Sequence, residues 1–155
     1  MPDTTEALIA YDGSEPSSAA LRAAVALLPG ANFTILVVHA TPVTLDQAGA
    51  ARAGLPDAVV REGIAGLERE ILTECHARAE AGAALARDAG AVAQPATTAA
   101  SGSVWREILK EAARRDSDVI TCGTRGLGGL GRAALGSTSS ALVHHADRPV
   151  LVLPA

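Results

Sequence analysis

Short apolar runs alternate with helix-period patterns along this chain. That order predicts an α/β fold: a three-layer α/β/α sandwich around a five-stranded parallel sheet of order 3-2-1-4-5, Rossmann-like in type. Two further observations point the same way. The second apolar run, "FTILVVHA", is nearly unbroken, as a strand covered on both faces must be. Right-handed crossovers between successive parallel strands then favour a doubly wound arrangement. With 155 residues, one domain covering 1–155 is expected, with a core of respectable size.

The first strand is read at "ALIAY", Ala7 to Tyr11, stopped by the turn-forming Asp12-Gly13-Ser14. A helix begins near Pro16, a residue tolerated in a first turn, and presents Leu21, Val25 and Leu28 on one face until Pro29-Gly30 ends it. Strand two is "FTILVVHA". The stretch from Thr41 to about Asp57, with Pro42, Gly49, Gly54 and Pro56, reads as a long excursion: either a flap over a ligand or a surface insertion. From Val59 to Ala89 the positions Val60, Ile64, Leu67, Ile71, Cys75 and Ala79 recur at helical spacing, with Glu62, Arg69, Glu70 and Arg78 elsewhere, and Gly90 closes this longest helix. "AVAQPATTA" is a weaker third strand, placed at a sheet edge by Pro95. Ser101-Gly102-Ser103 offers a cap for a helix that turns Val104, Ile108, Leu109 and Ala112 inward, with Trp105 and Lys110 as surface or groove residues. Strand four is "DVITC", Asp118 to Cys122. A glycine-rich stretch follows, then a helix from about Ser137 to His145, and "RPVLVLP" forms strand five.

Composition removes several function classes. Hydrophobic residues make up 48% and charged residues 19%, the balance of a packed protein rather than a disordered one. Aromatics are only 2%, so Val, Ile, Leu and Ala must build the core. A net charge of −4, with one Trp, one Tyr and one Phe, argues against nucleic acid as a partner, which would call for a basic surface and stacking platforms. No apolar run reaches the length of a membrane span, and "MPDTTEALIAYDGS" lacks the sections of a secretion signal, so a cytoplasmic location is expected. Cys75 and Cys122 have no CxxC or Cys/His companion pattern, and are read as two buried thiols rather than a disulfide or metal site.

The chemistry gathers in "CGTRGLGGLGRAALGSTSSALVHH". In a doubly wound sheet, ligands settle outside the carboxyl ends of the strands, where the strand order reverses. Strands one and four are neighbours there, so Asp12 and Gly123 should meet. Gly123 and Gly126 let backbone N–H groups approach an anion closely. Gly136 and Ser137 stand at the start of the last helix, with Thr138, Ser139 and Ser140 in its first turn, so amides, hydroxyls and the positive end of the helix dipole converge. Phosphate suits that convergence, and Asp12 suits ribose hydroxyls. A nucleotide satisfies both. A plain turn between strand and helix is the structural alternative.

In the spacing Gly123-Thr-Arg-Gly126, nine residues, then Gly136-Ser137, together with "AYDGSEPSSAAL", "ILVVHA" and "RPVLVLP", the whole chain resembles the universal stress proteins of the UspA type, in their ATP-binding branch. The resemblance implies an adenine nucleotide alpha hydrolase-like fold with ATP at the switch point. Asp12 would contact the adenosine, and the backbone around Ala10 and Ala40 would border the adenine. Gly123, Gly126, Gly136, Ser137, Thr138 and Ser139 would hold ribose and phosphates. Arg125 and Arg132 would either meet the phosphates or face solvent. It also implies a homodimer through the C-terminal strand, whose exposed apolar edge is an independent reason for pairing.

Two function classes follow: a nucleotide-dependent regulatory module of the stress response, or a slow ATP hydrolase. The chain has no GxxxxGK[ST] motif, and its one lysine, Lys110, lies in the preceding helix, which favours the binding module. Asp12 is the carboxylate on hand for a magnesium ion accompanying ATP, but one carboxylate makes no catalytic site. AMP or cyclic AMP as the true ligand is a third alternative. His144 and His145 suit the C-terminal end of the last helix, His39 a place near the adenine or in the crevice wall, and His76 an exposed one.

Overall fold

The computed structural model describes residues 4–41, 54, 56–124 and 135–154. Its elements run β1 (Glu6–Ala10), α1 (Glu15–Leu27), β2 (Asn32–Ala40), α2 (Asp57–Asp88), β3 (Val92–Ala100), α3 (Val104–Arg114), β4 (Val119–Gly123), α4 (Ser137–His145) and β5 (Val150–Leu153). The strands form one parallel sheet in the order β3-β2-β1-β4-β5, as expected from the sequence. Strand bounds differ from the sequence reading by one or two residues, and α4 spans Ser137 to His145 as read.

Side chains of β1 alternate between two cores. Ala7, Ile9 and Tyr11 pack with Leu21 and Ala24 of α1 and with Cys75, Ala79, Ala83 and Ala86 of α2. Leu8, with Ala10 beside it, packs with Ile108 and Ala112 of α3 and Leu142 of α4. The sheet is therefore covered on both faces, which is why Phe33 and Ile35 to Val38 of β2 form an apolar run broken only by Thr34.

Three expectations are corrected. Leu67 is 45% exposed rather than inward. At 32 residues α2 is about 48 Å long, whereas the nine-residue strands β2 and β3 it covers extend about 30 Å. Its buried residues begin at Cys75, so Leu67 lies on the half that overhangs the sheet. Val104 is 41% exposed because it is the first residue of α3, at the end of that layer. Ser103 occupies the N-cap of α3 but makes no side-chain capping bond; Ser14 does cap α1, its Oγ accepting the Ser17 N–H at 3.2 Å. The excursion read between Thr41 and Asp57 lies mostly outside the described residues.

Two polar anchors fix the α3 side. Arg148 Nη1 donates to the carbonyls of Ala112 and Ser117 at 2.9 and 2.7 Å, tying the end of α3 to the start of β5. Buried Glu111 is paired by Arg114 and Arg115 at 2.6 and 3.1 Å. Trp105, read as a surface or groove residue, stacks on His145 of α4 at 4.6 Å between ring centroids.

Candidate functional site

The carboxyl edge of the sheet is where β1 and β4 diverge. They are paired, with Ile9 opposite Thr121, yet β1 leads outward to β2 on one side and β4 to β5 on the other. The turn after β1 and the start of α4 therefore lie at the point where the strand order reverses, the usual place for a ligand in a doubly wound sheet.

On the β1 side, the Tyr11 N–H donates to the Leu36 carbonyl at 2.9 Å before the chain turns. Asp12 Oδ1 accepts the Ser14 N–H at 2.9 Å, an Asx turn that leads straight into the α1 cap. Gly13 takes φ +81°, a left-handed conformation that suits glycine. Tyr11 is held from below, its hydroxyl 3.0 Å from Ser18 Oγ.

On the β4 side, Thr124 leans on β5 through its N–H, which donates to the Leu153 carbonyl at 2.9 Å. Its own carbonyl accepts the Gly136 N–H at 2.8 Å and the Ser139 hydroxyl at 3.3 Å. The two ends of the glycine-rich stretch are thus knotted together at Thr124 and Gly136, and α4 starts from that knot. Gly136 is its N-cap and has no side chain to satisfy the first-turn amides, and that turn holds no acidic residue to oppose an anion. Ser137 is exposed and Thr138 half-buried. Ser139 is buried, and its hydroxyl also lies 3.0 Å from the Gly136 carbonyl. Its hydroxyl proton therefore serves the knot.

Ala10 packs beside the core under α3 and α4, and so does Val38; Ala40, two residues further along β2, shares that side and is exposed. These small side chains leave the wall of the crevice to backbone. His39, half-buried, places Nδ1 3.3 Å from the Ala40 carbonyl. Gly126, Arg125 and Arg132 lie outside the described residues. The structure thus brings Ala10, Asp12, Gly123, Gly136, Ser137, Thr138 and Ser139 to one edge, with Ala40 at the end of the next strand.

Sequence reasoning missed two residues here. Thr124 acts through its carbonyl, for which side-chain motifs carry no signal. Arg78 of α2 lies against Gly13, and one signal was available: it stands between Cys75 and Ala79 on the face that α2 buries.

Neither thiol is poised as a nucleophile. Burial pushes Cys122 up to about 11. Cys75 is also raised, chiefly by burial, with the Arg78 cation opposing and Glu74 adding. Among the described residues no three His, Cys, Asp or Glu side chains gather as a metal site, and no helix is long and apolar enough to cross a membrane. His144 Nδ1 lies 2.8 Å from the Ser140 carbonyl, within its own helix.

The model of the universal stress protein family matches residues 5–154. A universal stress protein of Thermus aquaticus is 33% identical over 146 residues, 94% of this chain and 96% of that protein. Another, of Mycolicibacterium smegmatis, is 31% identical over 150 residues; this chain spans only 47% of that relative's length. Among solved structures, the hypothetical protein MJ0577 superposes with a TM-score of 0.75 at 21% identity, covering 97% of this chain and 96% of that one. A universal stress protein in complex with cAMP gives a TM-score of 0.63 at 18% identity, over 97% of both chains. The Archaeoglobus fulgidus protein in complex with dAMP gives 0.61 at 20% identity, over 96% of both. At these identities the structural likenesses establish the fold.

Proposed function

From the premise that the chain belongs to the universal stress protein family, we propose that it binds ATP at the carboxyl edge of the sheet and acts as a nucleotide-dependent regulatory module of the stress response. The observation that carries this reading is the start of α4. A cap without a side chain precedes Ser137, Thr138 and Ser139, across the β1–β4 switch point from the Asp12 turn. Asp12 receives the adenosine, and the backbone at Ala10 and Ala40 borders the adenine. Gly123, Gly126, Gly136 and the amides of Ser137 to Ser139 take ribose and phosphates, and Asp12 is the carboxylate that would help hold an accompanying magnesium ion. Fixed amides at a helix start stabilise phosphate without reorganisation.

The proposed site has amide donors but, among the described residues, no lysine, so binding is favoured over rapid hydrolysis. A second reading, an adenosine monophosphate as the resident ligand, is favoured by the cAMP and dAMP held by structural relatives. In the same proposal the protein is cytoplasmic and pairs with a second copy through β5, which ends the sheet with one side unpaired.

The test is to denature purified protein, identify any nucleotide released, and titrate ATP, AMP and cyclic AMP into wild type and a Gly123→Val, Gly126→Val double variant. Released adenine nucleotide and a large loss of affinity in the variant are expected. Equal ATP affinity in the two would sink the proposed cradle. Multiple-turnover phosphate release well above an Asp12→Ala control would replace the binding module with an enzyme.

A further inference from the structure

Arg78 crosses from α2 to the turn that carries Asp12. A Cβ added at Gly13 would sit 2.8 Å from both Arg78 Cγ and Cδ and 3.2 Å from Nε, so the aliphatic stem of the arginine lies directly on the glycine backbone. The far end of the side chain is held in turn, with Nη2 donating to Glu74 Oε1 at 2.7 Å. One turn further along α2, Gly82 lies against the Tyr11 ring: a Cβ there would meet Tyr11 Cε1 at 2.8 Å. Residues 11 to 14 therefore rest on α2 at two points a helical turn apart. Below, Tyr11 is locked between Gly82 and Ser18. Above, Gly13 is covered by Arg78, in a φ +81° conformation that supplies no side chain of its own to hold it.

From this we infer that Arg78 is a positioning residue for the nucleotide site: its stem pins the Gly13 turn, and so fixes where the Asp12 carboxylate meets the ligand. The inference rests on the nucleotide reading above and deepens it. Arg78 acts through the turn rather than on the ligand, by the contact of its methylenes with backbone, a use of long charged side chains that does not need the charge. A left-handed glycine brings no side chain of its own to hold the turn, and binding groups must be held within about 0.5 Å of their productive place. The structure links this turn to α2 but not, through Arg78, to the start of α4. The effect of Arg78 should therefore fall on the adenosine end of the ligand and spare the phosphate end.

The experiment compares wild type, Arg78→Ala and Arg78→Met, each confirmed as folded by circular dichroism, with ATP, adenosine and inorganic tripolyphosphate as separate probes. Arg78→Ala is expected to weaken ATP and adenosine by a similar factor, about tenfold, as removal of an outer supporting group commonly does. Tripolyphosphate should bind all three proteins alike. Arg78→Met keeps the stem and loses the charge, and is expected to stay within about threefold of wild type for every probe. Amide hydrogen exchange at Ser14, whose N–H donates to Asp12, should be faster in Arg78→Ala and unchanged in Arg78→Met.

Unaltered adenosine and ATP affinity in Arg78→Ala overturns the inference while leaving the nucleotide reading intact. Loss confined to the phosphate-bearing probes, or an Arg78→Met as weak as Arg78→Ala, overturns it in favour of direct charge pairing. A wild type that binds none of the probes overturns the nucleotide reading, and this role with it.

Discussion

Three glycines of α2 give a prediction in which one substitution changes sign along a single helix. Glycine inside a helix is less favourable than alanine by about 1 kcal/mol, so Gly→Ala stabilises wherever a methyl group fits. At Gly63 and Gly66 an added Cβ meets nothing within 4 Å. At Gly82 it would sit 2.8 Å from Ile35 Cγ2 and Tyr11 Cε1 and 2.9 Å from Tyr11 Cδ1. Those neighbours cannot step aside cheaply: Ile35 is fully buried in a strand, and Tyr11 is buried with its hydroxyl against Ser18. Overpacking of this kind costs about 1–3 kcal/mol. Gly63→Ala and Gly66→Ala should each gain about 1 kcal/mol, raising Tm by about 2–4 °C. Gly82→Ala should be neutral to destabilising by about 2 kcal/mol, the overpacking cost less the helix gain. Urea and thermal unfolding followed by circular dichroism measure all three. A Gly82→Ala protein as stabilised as Gly63→Ala would refute the close packing of α2 on Tyr11 and the support it gives the Asp12 turn.

Further outcomes follow from the thiols and from the sheet edge. The Cys122 thiol has its ordinary value of 9.0 in the unfolded chain and about 11 in the folded one. Below pH 9 both states keep the proton; as pH rises from 9 toward 11 the unfolded state releases it first, so stability falls across that window by about 2–3 kcal/mol. Cys122→Ala should lose that component of the pH slope, and identical slopes in urea titrations of the two proteins would contradict it. At pH 8 native Cys122 should also be alkylated at least about 100-fold more slowly than in the unfolded protein, as peptide mapping would show. At β5, the carbonyls of Pro149 and Leu153 accept from β4, so alternation turns the amides of Val150 and Val152 outward. Val152→Pro removes one outward donor and should shift the proposed dimer toward monomer in light scattering, while retaining the circular dichroism of the wild type. An unchanged mass would move the subunit contact away from β5.

Much of the fold was legible because local and global signals agree. The unbroken apolar run of β2, the Pro95 that sends β3 to the edge, and Gly136-Ser137 at the start of α4 each have one reading in a doubly wound sheet. What escaped the sequence is non-local or carried by backbone. Leu67 repeats at helical spacing yet lies exposed, because periodicity does not reveal how far a helix outruns the strands beneath it. Trp105 finds His145 only after α3 and α4 pack side by side. The site divides in the same way. Asp12, Gly136 and Ser137 announce themselves by residue type and place, whereas the Thr124 carbonyl and the Arg78 stem act through atoms that no motif records. Ser139 carries a structural bond that its residue type did not announce: its buried hydroxyl donates into the knot that holds the helix start.

The proposed adenine nucleotide would lie at the carboxyl edge, between the Asp12 turn and the start of α4. Amide chemical-shift mapping of the assigned protein during ATP titration locates the ligand. The largest saturable shifts should fall on Gly13, Ser14, Thr124 and Ser137 to Ser139. Gly30, Gly90 and Ser117, which precede strands at the opposite edge, should stay still. Saturable shifts centred on that opposite edge, or none at millimolar ATP in protein freed of bound nucleotide, would contradict it.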